Sequence, residues 1–238
     1  MKTTKLFAGL AIVAGIALAG CNTPQVQFET INVEAPFEME AIRVPIYPAQ
    51  DFCITAYGAT DTTLCTEAIA QAIADCHAAG GGRVVIPAGE WLTGPIHLKS
   101  NVNLYLAEGA VVRFTDNPAD YLPAVHTSWE GMECYNYSPL IYAFECENVA
   151  ITGAGTIDGN AEKFHHDSGR KTWTGYSWVR NSHTNITGRC VFFVGCRDVR
   201  LDDVLILHPA GWSTWFLDCD RVGVMVLQDI PSGNEYSR

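Results

Sequence analysis

Between residues 80 and 114 the chain alternates short apolar runs with turn clusters, in the order GGGRVVIPAGEWLTGPIHLKSNVNLYLAEGAVVRF. The runs cover residues 83–86, 91–93, 96–98, 102–106 and 110–114, and the clusters at 87–89, 94–95, 99–101 and 107–109 are of the kind that end strands. Within the runs the period is two: Val102, Leu104 and Leu106 point one way, Asn103 and Tyr105 the other. Joints of one to three residues leave no room for crossover helices, and the paired dipeptides of tight hairpin turns are missing. A chain that turns a corner every few residues and keeps one face apolar predicts a solenoid.

The pattern on either side supports this. Residues 66–79 are the one clear helix: Ile69, Ile73 and Cys76 fall at i, i+4 and i+7, Thr66 is placed to cap and Gly80 to stop it. A lone helix before a run of strands suits a cap over an open solenoid end. Residues 22–42 are polar, with Glu29, Glu34, Glu38 and Glu40, and predict a tether; residues 37–47 alternate weakly and contain Pro45, as an edge strand can. Residues 116–142 and 160–187 predict irregular excursions. Val102, Val149, Val199 and Val222 stand at intervals of 47, 50 and 23 residues, which one coil of about 23–25 residues, taken once or twice, accommodates. Cys146, Cys196 and Cys219 each precede one of these valines by three residues. They are therefore expected to stack at one corner of successive coils as small buried hydrophobes, in parallel, which is poor disulfide geometry.

A resemblance becomes specific at these residues. Ala79-Gly80-Gly81-Gly82, Val84-Val85-Ile86-Pro87-Ala88-Gly89 and Leu92-Thr93-Gly94-Pro95-Ile96-His97-Leu98-Lys99-Ser100-Asn101-Val102 resemble the N-terminal signature of glycoside hydrolase family 28, the polygalacturonases. Residues 51–59 are similar to the family's opening strand, with Cys53 where a glycine is common. Asn148-Val149-Ala150-Ile151-Thr152-Gly153-Ala154-Gly155-Thr156-Ile157-Asp158-Gly159 resembles one of its coils. The resemblance implies an all-β, right-handed parallel β-helix over residues 43–238, with one capping helix and without the family's C-terminal coils. It also implies inverting hydrolysis of galacturonic linkages in pectic polysaccharide or oligogalacturonide.

Such chemistry needs one carboxyl group as acid and a second, set apart, to activate water. In the family these lie in an Asn-Thr-Asp segment and an Asp-Asp pair, followed by Gly-His-Gly and Arg-x-Lys. The chain has none of these after its coils, and Asp202-Asp203 belongs to an earlier coil in the family pattern, so no catalytic residue is assigned and the chain as written is expected to be inactive. His208, Trp212 and Trp215, in a stretch similar to one beside the family's cleft, are the candidates for sugar contact; the alternative for the indoles is filling a wide core. A non-catalytic, lipid-anchored binder of acidic polysaccharide, or an inert fragment, remain alternative readings. Pectate lyases share the fold but depend on calcium-binding carboxylates, and nothing in the sequence clusters that way.

Composition narrows the partners. At 48% hydrophobic and 17% charged, with net charge −11, the 238-residue chain suits one soluble domain and disfavours nucleic acid. His165, His166 and His183 lack metal-ligand spacing, zinc is not expected, and neither cofactor nor metal is assigned. The chain is expected to be a monomer. Residues 1–5 are basic and 6–18 apolar, as in an export signal. Leu18-Ala19-Gly20-Cys21 resembles the bacterial lipoprotein box, which implies a signal over 1–20, a tether over 21–42, and a lipid anchor on Cys21 at the cell envelope. Mass spectrometry is expected to find a mature chain beginning at an acylated Cys21; an unmodified Cys21 would dismiss the anchor.

Overall fold

The apolar runs form parallel strands stacked coil on coil, and the turn clusters form the corners. The computed structural model describes residues 24–32, 34, 36–38, 40–129, 131–160, 172–173, 176–177, 189–209, 212–225 and 228–230. The chain opens with β1 (Gln27–Ile31), β2 (Ile42–Ile46), β3 (Asp51–Cys53) and α1 (Thr66–Ala78). The next two part-coils are β4 (Gly82–Ile86), β5 (Gly89–Thr93), β6 (Ile96–His97), β7 (Val102–Leu106) and β8 (Ala110–Phe114). An excursion carries β9 (Val125–Trp129) and β10 (Met132–Asn136) before β11 (Ile141–Phe144), β12 (Glu147–Thr152) and β13 (Thr156–Asp158). Beyond β14 (Thr172–Trp173) and β15 (Tyr176–Ser177) come β16 (Val191–Val194), β17 (Arg197–Asp202) and β18 (Leu205–Leu207). β19 (Thr214–Leu217), β20 (Asp220–Met225) and β21 (Gln228–Ile230) complete the described strands.

Three parallel sheets result: β6, β11, β16 and β19 in the first; β3, β4, β7, β12, β17 and β20 in the second; β5, β8, β13, β18 and β21 in the third. This is a right-handed parallel β-helix, and α1 lies against β3, β4, β6 and β7 at its N-terminal end. Because the register is unshifted from coil to coil, like stacks on like. Val84, Leu104, Ile151 and Leu201 form one fully buried inward row, and Trp91, Val112, Ile157 and Ile206 another. Each such side chain contributes about 1.5–3 kcal/mol relative to exposure.

The corners repeat as well. Asn101, Asn148, Asp198 and Arg221 all hold positive φ, between 53° and 67°, one above another at the entry to the second sheet. Asn148 donates to Asn101 at 2.7 Å, and Asp198 accepts from Arg221 at 2.7 and 2.9 Å. Side-chain bonds thus offset the cost of a left-handed backbone at residues that are not glycine. Beside them Cys146, Cys196 and Cys219 stack as expected, and the eight cysteines of the described residues are free. Contact with Cys146 and Cys219, reinforced by burial, holds the Cys196 thiol far above its ordinary range.

Four expectations change in detail. Thr66 does not cap α1; its hydroxyl accepts from the Gly94 N–H at 2.6 Å and so ties the helix to the corner after β5. The helix end is as expected: Gly80, at φ 91°, donates to the His77 carbonyl and Gly81 to that of Cys76. Gln27–Ile31, placed in the tether, is a strand paired antiparallel with β2, a partner too distant and too weakly patterned to be seen from β1 itself. The 116–142 excursion contains the β9–β10 hairpin, and its last two residues already belong to β11. Of the 160–187 excursion the described residues are Asn160 and the β14–β15 pair; His165, His166, Lys171, Trp178 and His183 lie outside the described residues, as do the export signal and Cys21.

Close coil packing makes one glycine decisive. A Cβ at Gly153, where φ is 103°, would stand 2.1 Å from the Leu106 carbonyl oxygen of the preceding coil, whereas one at Gly58, φ 90°, would meet nothing. Gly153→Ala is expected to cost about 3 kcal/mol or more. Gly58→Ala should cost only about 1 kcal/mol, the left-handed penalty alone. Urea denaturation of the two variants checks the contrast; equal losses would contradict it.

Candidate functional site

The outward face of the first sheet carries one ring per coil. Pairing of β6, β11, β16 and β19 sets His97, Tyr142, Phe192 and Trp215 side by side, and alternation points them away from the core-facing Ile96, Ile141 and Val191. Ring centroids are 5.4 Å apart for His97 and Tyr142, and 6.3 Å for both Tyr142–Phe192 and Phe192–Trp215. Trp212 extends the file, edge to face with Trp215 at 5.7 Å and 89°.

The β9–β10 hairpin lies over the middle of this file. The Tyr142 hydroxyl donates to the His126 carbonyl at 2.7 Å, and Val125 packs against the Tyr142–Phe192–Val194 cluster. Arg189 joins the parts: it donates to the Thr127 hydroxyl at 3.0 Å and to the Ser128 carbonyl. Its guanidinium lies 4.3 Å from the Phe192 ring centroid and 4.1 Å from that of Trp215. Burial lowers the Arg189 pKa from its ordinary value, yet a guanidinium remains cationic at neutral pH. Phe192 and Tyr142 are consequently buried although they point outward, while Trp212 is 62% exposed.

The three residues expected at a sugar site thus separate. Trp212 and Trp215 are together outside the core, which excludes the core-filling alternative: Trp212 presents an open indole and Trp215 braces it. His208 belongs to a different group, on the third sheet. Its Nδ1 lies 3.0 Å from Oδ1 of Asp158, whose carboxylate also accepts from Arg113 Nε at 3.0 Å and from the Asn160 N–H at 2.9 Å. Arg113 reaches Glu90 in turn at 3.4 Å. Burial alone would raise the Asp158 pKa, but the bonds from His208, Asn160 and Arg113 outweigh it and hold the carboxyl below the usual range. Asp202 is paired with Arg200 on the second sheet and Asp203 occupies a positive-φ corner, both away from the aromatic file. Among the described residues no three His, Cys, Asp or Glu side chains are grouped to hold a metal ion.

A braced, exposed indole can stack on the C–H faces of sugar rings. Comparison with known proteins finds similar chains. An exo-poly-α-D-galacturonosidase of Dickeya chrysanthemi is 29% identical over 215 residues, covering 71% of this chain and 34% of that protein. The crystal structure of a hyperthermoactive exopolygalacturonase from Thermotoga maritima superposes with a TM-score of 0.69 at 31% identity, over 81% of this chain and 49% of the other. A family 28 exopolygalacturonase of Yersinia enterocolitica gives a TM-score of 0.68 at 25% identity, over 81% of this chain and 41% of the other. The chain belongs to the polygalacturonase-like family. No protein-family model matches it. The polygalacturonase-like chain spans about a third of the length of the Dickeya relative and about half that of the Thermotoga structure.

Sequence reasoning had no signal for Arg189, Tyr142, Phe192 or Asp158 as site residues, because their partners lie up to 62 residues away. The Asp158 cluster yields a test. A carboxyl with a depressed folded pKa stabilises the fold above the unfolded value, about 3.9, and that stability is lost as pH falls through the folded pKa. Asp158→Asn is expected to cost about 1–3 kcal/mol at pH 7. It should also flatten the decline of the urea midpoint below about pH 4. An unchanged acid limb would show that Asp158 does not carry it.

Proposed function

We propose that this polygalacturonase-like chain binds pectic polysaccharide along the outer face of its first sheet and belongs to a pectin-degrading glycoside hydrolase system. The observation that carries the reading is the exposed Trp212, held upright by Trp215, which in turn stacks on the buried Arg189 guanidinium. The names of the relatives supply the substrate class.

Binding and hydrolysis separate here. Inversion requires two carboxyl groups about 6.5–9.5 Å apart across the scissile bond. The family motifs that would provide them do not occur in the 238 residues, and Asp202, the acid beside Asp203, is engaged by Arg200. The chain by itself is therefore proposed to grip the polymer without cleaving it, held at the cell envelope by lipid on Cys21.

Affinity electrophoresis in polygalacturonate gels tests the grip. The mature chain should be retarded, and Trp212→Ala should weaken binding about tenfold, the loss of one stacked ring. Equal retardation of both would remove the reading, and no retardation of either would favour an inert chain. Reducing-sugar release should stay at background; turnover abolished only by changing Asp202 or Asp203 would overturn the separation.

A further inference from the structure

The ring file on the first sheet is buried in its middle and open at its two ends. Tyr142 and Phe192 lie under the β9–β10 hairpin, while Trp212 at one end and His97 at the other are exposed. His97 is fixed by a hydrogen bond as well as by packing. Its ring stands edge-on to Tyr142 at 5.4 Å and 63°, and its Nε2 lies 2.8 Å from the hydroxyl oxygen of the buried Ser138. That hydroxyl donates to the Pro139 carbonyl at 2.9 Å, and the Ser138 N–H donates to the Tyr121 carbonyl at 3.0 Å. A hydroxyl has one proton to give, so towards His97 the Ser138 oxygen accepts, and Nε2 carries the N–H. In the neutral ring the lone pair therefore sits on Nδ1. No hydrogen bond from another described residue reaches Nδ1. Although the residue as a whole is exposed, the protein packed against the ring disfavours charge and lowers the His97 pKa from its ordinary value, which keeps the ring neutral at pH 7.

We infer that His97 is a second contact for the polymer on this face, with Nδ1 accepting a hydrogen bond from a sugar hydroxyl. The inference rests on the binding reading proposed above for Trp212. The chemistry of the acceptor selects the group. At neutral pH the carboxylates of an acidic sugar chain are ionised and have no proton to donate, so its hydroxyls are the donors that a lone pair can use. The fixed tautomer means that no ring proton has to move for the bond to form. Strand pairing sets His97 three coil steps from Trp215, about 14 Å at the usual spacing between strands. One sugar ring cannot touch both ends of the file, whereas a polymer crossing the roofed rings can. Once one end is engaged, contact at the other becomes intramolecular and is favoured by a high effective concentration. His97 thereby makes the face selective for chains over single sugars.

Two substitutions separate the nitrogens. His97→Gln sets an amide near the position of Nε2, where it can keep the bond to Ser138, and leaves nothing at Nδ1. His97→Asn sets an amide oxygen near the position of Nδ1 and gives up the bond to Ser138. The whole chain and both variants are compared by affinity electrophoresis in polygalacturonate gels at pH 7, with the urea midpoint of each measured alongside. His97→Gln is expected to weaken binding about fivefold with little change in the midpoint, the loss of one hydrogen bond to the ligand. His97→Asn should bind within about twofold of the parent even though its midpoint falls. The reverse order, or equal weakening by both, would make His97 a support for Ser138 and overturn the inference. Unchanged binding in both variants while Trp212→Ala still weakens it would also overturn the inference and leave the Trp212 reading standing. A parent chain that the gel does not retard, or one for which Trp212→Ala and His97→Gln are both without effect, removes the binding reading and this inference together.

Discussion

In-register stacking of parallel coils is the constraint on which the rest of this molecule depends. No single coil has enough apolar surface to fold alone; Leu104 is buried because Val84 and Ile151 lie on either side of it at the same height. The requirement reaches the corners, where the backbone must turn at the same height in each coil. Asn101, Asn148, Asp198 and Arg221 accept left-handed geometry there, and Gly153 comes so close to the Leu106 carbonyl that no side chain fits. Regularity inside is thus enforced by contacts that tolerate little change.

The outside of the solenoid inherits that regularity without being bound by it. Each sheet presents outward files at the coil spacing, and the three files carry different chemistry. The first is aromatic and braced by Arg189. The second is polar and strapped by the β1–β2 hairpin. On the third, Asp158 gathers Arg113 and His208 from the coils on either side. Excursions from the coils adapt these files: β9–β10 shields Tyr142 and Phe192 and leaves Trp212 open. A stack made rigid by its interior can therefore carry a binding surface specified by a few outward residues and the loops laid over them.

Much of this was legible in the order of residues. Period-two runs separated by glycine and proline located β4 to β8 to within two residues, and the spacing of Val102, Val149, Val199 and Val222 set the coil repeat. The cysteine and valine pairs located a shared corner. These features are local, or repeat at a fixed interval, so a linear reading recovers them. β1 escaped because its stability comes from β2 and the coils beneath, and the roles of Trp212 and Trp215 could not be told apart because both are tryptophans in one short segment.

The sequence by itself therefore determined the solenoid, its repeat, its helical cap and its resemblance to the polygalacturonases, since all of these follow from periodicity and from motifs contiguous in the chain. Only the tertiary structure decided that Trp212 is the open ring and Trp215 its support, that His208 belongs with Asp158, and that Arg189 is buried between two rings. Those assignments depend on which residues share a height on neighbouring coils, across separations of 23 to 62 residues. They also depend on which excursion covers them. Neither is written in any one stretch of the chain, because side-chain exposure is set by the neighbours that stacking supplies.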